Sequence, residues 1–163
     1  ARFDYVLTDD CGVALNCLGG FPGPYIKDMV QKMGVQGLVR LVDQCKDRGA
    51  VATCALGSIH VRTALQQGIN WPGCVSVHLG DMRGTIIPTP SVAPEVAGFT
   101  GAFQPEGYSS VYADLSDCDL AHMSYRAKAL EAWVAGTLGE AGSKRPCEGQ
   151  RWGLRCSRRA AAA

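Results

Sequence analysis

Leu18-Gly19-Gly20-Phe21-Pro22-Gly23-Pro24-Tyr25-Ile26-Lys27 is the stretch on which the reading of this chain turns. Its glycines and prolines specify a rigid, irregular backbone path instead of a regular element. Pro24 is suited to open a helix at Tyr25. Lys27 then falls in the first helical turn, where the helix dipole disfavours a cation. A cation so placed points to an anion nearby. Upstream, Phe3-Asp4-Tyr5-Val6-Leu7-Thr8 is an apolar run with β-branched and aromatic residues, and reads as a strand over residues 3–9. The pair Asp9-Asp10 follows it directly. Carboxylates at the carboxyl end of a buried strand stand where open α/β sheets place their chemistry. Neighbouring side chains on a strand face opposite ways, so only one of the pair faces a given ligand. Taken singly, these residues are also what a solvated lysine and a capping aspartate look like.

Working outward, residues 25–33 and 36–46 read as amphipathic helices, the second with Leu38, Leu41, Val42 and Cys45 at helical spacing. Val51 to Leu56 is an apolar run of strand length. Val75-Ser76-Val77-His78-Leu79 alternates as a half-buried strand does. Gly80-Asp81 punctuates it before Gly84-Thr85-Ile86-Ile87-Pro88. Residues 57–74 are weakly patterned and read as an insertion. Ser124 to Val134 reads as a helix with an apolar face of Ala127, Ala129, Leu130, Trp133 and Val134. The residues alone give a mixed α/β fold without internal repeats.

The 163 residues are enough for one domain whose core needs no staples. No apolar run approaches a membrane span, and no signal-peptide pattern is present. The expected surroundings are intracellular, cytoplasmic first, with an organelle left open. The chain opens almost directly on a strand, which suggests further sequence upstream. The eight cysteines show no CxxC pair, and several lie in apolar runs, so reduced thiols are expected rather than a disulfide framework. With His60, His78 and His122 scattered singly, ligand spacing spells no zinc site. From Lys144 to Arg159 six cations stand against Glu148 alone, although the whole chain carries only +1. Residues 140–163 therefore read as a basic, disordered tail and 1–139 as the folded domain. Trp152 alone interleaves that tail with an aromatic ring, so a nucleic-acid partner is not expected.

Three blocks resemble one family. Asp9-Asp10-Cys11-Gly12-Val13-Ala14-Leu15-Asn16-Cys17 through Lys27 is similar to the signature of the inosine triphosphate pyrophosphatases, most closely the eukaryotic type. Gly98-Phe99-Thr100-Gly101-Ala102-Phe103-Gln104-Pro105-Glu106-Gly107-Tyr108 resembles the family's second block. Tyr112 to Leu115 and Ser124-Tyr125-Arg126-Ala127-Lys128-Ala129-Leu130 resemble its last. The first block is highly specific and the others moderately so. Together they span roughly residues 4 to 135.

The resemblance implies an α/β fold in which a long mixed sheet with flanking helices forms two lobes around a central cleft. It implies hydrolysis of inosine, deoxyinosine and xanthosine triphosphates to monophosphate and pyrophosphate, with Mg2+. Asp10 would be the catalytic carboxylate and, with Asp9, a metal ligand. Asp9, Cys11, Lys27, Gly98, Phe99, Tyr125 and Arg126 would contact the purine nucleoside triphosphate. Lys27 would meet the phosphates, Phe99 would stack on the base, and Arg126 would donate to its 6-keto oxygen. A homodimer, or a place in a larger assembly, is expected as well, without a membrane. Against this, the family's Thr-Gly-Asn-x-x-Lys loop would precede residue 1, Thr100 replaces an Asp, Leu120 a Lys and Tyr125 a His. A catalytically degenerate protein that keeps the fold as a structural or binding subunit is therefore the alternative.

Overall fold

The computed structural model of the chain describes residues 3–68, 74–88 and 98–139. The segment 140–163, read above as a basic tail, lies outside them. The fold is α/β, as expected. Five strands, β1 (Tyr5–Leu15), β2 (Pro22–Gly23), β3 (Gly49–His60), β4 (Val75–Ile86) and β5 (Phe103–Pro105), form one sheet in the order β2-β1-β3-β4-β5. All pairings among these strands are antiparallel. The helices are α1 (Ile26–Asp43), α2 (Val61–Gln67), α3 (Asp117–Met123) and α4 (Tyr125–Gly139).

The three long strands alternate cleanly. On the inner face Val13 and Leu15 of β1, Ala50, Ala52, Cys54 and Leu56 of β3, and Met82 and Ile86 of β4 are buried. They join Ile26, Val35, Leu38, Val39 and Val42 of α1 and Tyr125 and Ala129 of α4 in a single core cluster. The outer face leaves Val6, Val75, Val77 and Leu79 exposed. β2 pairs with β1 only at Val13 and Ala14, so residues 5–12 of β1 form a sheet edge among the described strands.

Both β3 and β4 run further than their apolar patterns suggest. Residues 57–60, read as the start of an insertion, continue β3: all four pair with β1, and 57–59 pair with β4 as well. Gly80-Asp81 does not end β4. Gly80 lies beneath α4, where an added Cβ would run into the backbone oxygen of Tyr125, the backbone nitrogen of Ala129 and, at 3.0 Å, the carbonyl carbon of Lys128. The glycine marks a close approach, not a turn. The Lys128 ammonium donates to the Asp81 carbonyl at 2.9 Å and ties the same helix to the same strand.

The two helices expected over 25–33 and 36–46 form one element interrupted at Gly34, whose backbone (φ 70°, ψ 169°) is open in practice only to glycine. The loop before it closes on itself: the Gly20 N–H donates to the Leu15 carbonyl at 3.0 Å and the Phe21 N–H to the Leu18 carbonyl at 3.2 Å. This returns the chain to the side of β1, where Gly23 and Pro22 pair with Val13 and Ala14.

Candidate functional site

A cavity of about 1030 Å3 opens between the edge of β1, the first two turns of α1, the 3-10 turn Gly98–Gly101 and the start of α4. β1 contributes Asp9, Asp10 and Cys11, and α1 contributes Lys27, Asp28, Gln31 and Gly34. The turn contributes Gly98, Phe99 and Thr100, and α4 contributes Tyr125 and Arg126. Asp9, Asp10, Cys11, Lys27, Gly98, Phe99, Tyr125 and Arg126, the candidate site residues of the sequence, therefore lie on this one cavity, although their positions span more than a hundred residues. Leu120, on α3, is not among its described lining residues.

Strand alternation separates the two carboxylates. Asp9 shares a face with Cys11 and accepts a hydrogen bond from Arg126 Nε at 3.0 Å. Asp10 points the other way and accepts from the Cys11 backbone N–H at 3.0 Å. The Asp9–Arg126 ion pair is half-exposed, 48% and 54% respectively, so it contributes at most about 1 kcal/mol and opens easily. Burial by itself would lower the pKa of Arg126. The hydrogen bond to Asp9 and the neighbouring groups Tyr125 and Cys11 outweigh it, so the guanidinium is held above its ordinary value.

Tyr125 lines the cavity yet is only 1% exposed. Its ring stacks on that of Tyr112 with centroids 5.3 Å apart, and its hydroxyl accepts from Arg126 Nη1 at 3.2 Å. It thus works as a floor that aims Arg126. Phe99 packs edge-on against Phe103 at 6.3 Å, which seats its ring against the core at the cavity wall. Asp28 and Gln31 were not picked out in the sequence. The signal was there in part, since Gln31 follows Lys27 by one helical turn and shares its face.

Among the described residues Cys11, Cys17, Cys45, Cys54 and Cys74 are free thiols. Burial pushes the Cys11 thiol up from 9.0 to about 12, with Arg126 opposing the rise and Cys54 and Asp9 adding to it. A folded-state pKa above the unfolded one gives a stability contribution that is full below pH 9.0 and lost as pH climbs through about 12. Denaturant midpoints measured stepwise across that window should fall in the wild type and fall less in Cys11→Ser. Superimposable profiles would remove Cys11 as the cause.

These features define a class: an α/β protein with a cleft lined by two carboxylates, a lysine, an aromatic ring and an arginine tethered to one of the carboxylates. The chain belongs to the Ham1 family, whose pattern it matches over residues 1–135. It is 35% identical over 134 residues to the dITP/XTP pyrophosphatase of Pyrobaculum aerophilum, covering 80% of this chain and 65% of that protein. It is 32% identical over 126 residues to the inosine triphosphate pyrophosphatase of Scheffersomyces stipitis, covering 77% and 59%. The chain thus spans less than two thirds of the length of these curated relatives. Among solved structures, the Ham1 protein of Staphylococcus aureus superposes with a TM-score of 0.65 at 21% identity, over 84% of this chain and 68% of that one. A HAM1 protein from Coxiella burnetii gives 0.63 at 19% identity, over 83% and 68%. These likenesses establish the fold. No helix among the described residues is long and apolar enough to cross a membrane.

Proposed function

We propose that this chain carries the nucleotide site of a nucleoside-triphosphate pyrophosphatase acting on inosine, deoxyinosine and xanthosine triphosphates. The observation that supports this best is the meeting of Asp9, Asp10, Lys27, Phe99 and Arg126 on one cavity. The relatives named as dITP/XTP and inosine triphosphate pyrophosphatases point to the same chemistry.

In this reading Asp10, on the solvent side of β1, takes the proton of the water that attacks between the α and β phosphates. Lys27 meets the triphosphate as a point charge, and the Phe99 ring offers a stacking surface to the base. Arg126 donates to the 6-keto oxygen, which distinguishes hypoxanthine and xanthine from adenine, while Tyr125 fixes its direction. Strand alternation lets only one carboxylate of the pair meet a given ion. The exposed Asp10, with water and phosphate oxygens, is a donor set that a hard cation accepts, so Mg2+ fits there while Asp9 stays with Arg126 on the other face. Bound there, it would neutralise charge on the phosphoryl oxygens.

The test is pyrophosphate release from inosine, deoxyinosine, xanthosine, adenosine and guanosine triphosphates with Mg2+ supplied. The 6-keto substrates should be preferred over adenosine triphosphate by about tenfold or more, the scale set by a single recognition contact. No release from any of the five would favour the fold-retaining structural or binding subunit instead.

A further inference from the structure

Cys11 and Cys54 are direct register partners on β1 and β3, so their side chains leave the same sheet face side by side. Asp9, two residues before Cys11, leaves that face as well. Its Oδ2 lies 3.8 Å from Cys11 Sγ, and the Asp9 carboxylate and both sulfurs lie within 4.8 Å of one another. A tetrahedral ion bound to sulfur at about 2.3 Å and oxygen at about 2.1 Å holds its ligands roughly 3.5–3.8 Å apart. Small side-chain rotations bridge that difference. We infer that Cys11, Cys54 and Asp9 form a binding site for a thiophilic divalent cation of the zinc class, at the wall of the cavity.

The ligand chemistry sets this site apart from the carboxylate site proposed for Mg2+. Thiolate sulfur selects zinc and its heavier congeners, whereas Mg2+ demands oxygen. The environment is graded in the right sense. Cys54 is buried, Cys11 is half-buried and Asp9 stands at the opening, so a fourth position faces the cavity for water or a ligand oxygen. On binding, both thiols become thiolates and both protons pass to solvent, so charge and atoms balance without any redox step. The ion also competes with Arg126 for Asp9, at the modest cost of a half-exposed ion pair. Spacing along the chain hides this cluster, because only the strand register brings residue 54 to residue 11.

Anaerobic titration of the full, reduced chain with Cd2+, followed by the ultraviolet thiolate-to-cadmium charge-transfer band, tests the site. The wild type should show a saturable band that persists in excess Mg2+. Cys11→Ser and Cys54→Ala should each weaken binding by about tenfold or more, as loss of one ligand does. Asp9→Asn should weaken binding while leaving the band, and Cys45→Ser should change neither. An unchanged band and affinity in Cys11→Ser would overturn the inference, whether or not Cys54→Ala folds. So would loss of the wild-type band on adding Mg2+, which would place the ion on carboxylates alone.

Discussion

Gly80→Ala should be the most damaging single-methyl change in the described part of the molecule, costing about 3 kcal/mol or more. The new Cβ meets backbone atoms of α4, not the end of a flexible side chain. Relief therefore requires the whole first turn of the helix to lift from β4. That turn carries Tyr125 and Arg126, so the same movement spoils the cavity's far wall. Urea unfolding should show a lower midpoint with an unchanged slope. Gly57→Ala is the control: its Cβ meets the Thr8 hydroxyl at 2.9 Å, a side chain that turns away. Equal losses in the two variants would mean that the seat of α4 on Gly80 is not what limits stability.

Asp10→Asn should lower the rate of pyrophosphate release by about 10²–10⁴-fold, the range for removing a positioned general base. Stability should hardly change, because Asp10 is exposed and the Asn oxygen can still accept from the Cys11 N–H. Asp9→Asn should behave differently. It removes the charge that holds Arg126, so base selectivity should suffer along with rate. Steady-state kinetics on inosine and adenosine triphosphates separate the two variants. If Asp10→Asn stays within a few-fold of wild type while Asp9→Asn is dead, the roles assigned to the pair are reversed.

How far the sequence disclosed this molecule depended on what each glycine was doing. Gly19, Gly20 and Gly23 have positive φ and build the loop that their clustering implied. Gly12, Gly80 and Gly84 lie inside long strands because something crosses them closely: the Gly23–Pro24 backbone, the start of α4, and the Gln104 backbone with the Phe103 ring. Local pattern does not distinguish a turn glycine from a crossing glycine, so strand ends near such residues were placed short. The candidate site was more legible than the fold's boundaries, since Asp9, Asp10, Lys27 and Arg126 are chemically conspicuous wherever they fall. Cys54 was not, because its apolar neighbours make it look like one more small core residue. The burial of Tyr125 was equally hidden, since its stacking on Tyr112 is a tertiary contact between distant turns.

The ion pair between Asp9 and Arg126 has a thermodynamic consequence for recognition. A cation that engages Asp9 frees the guanidinium, and a carbonyl that engages the guanidinium frees Asp9. Two ligands that must each break one shared contact do not bind independently, because the first to arrive has already broken it. Reciprocity then requires each to raise the other's affinity by the same factor, about fivefold for a contact worth about 1 kcal/mol. Cation and base are coupled across the cleft by a single weak bond, and that coupling needs no change of fold.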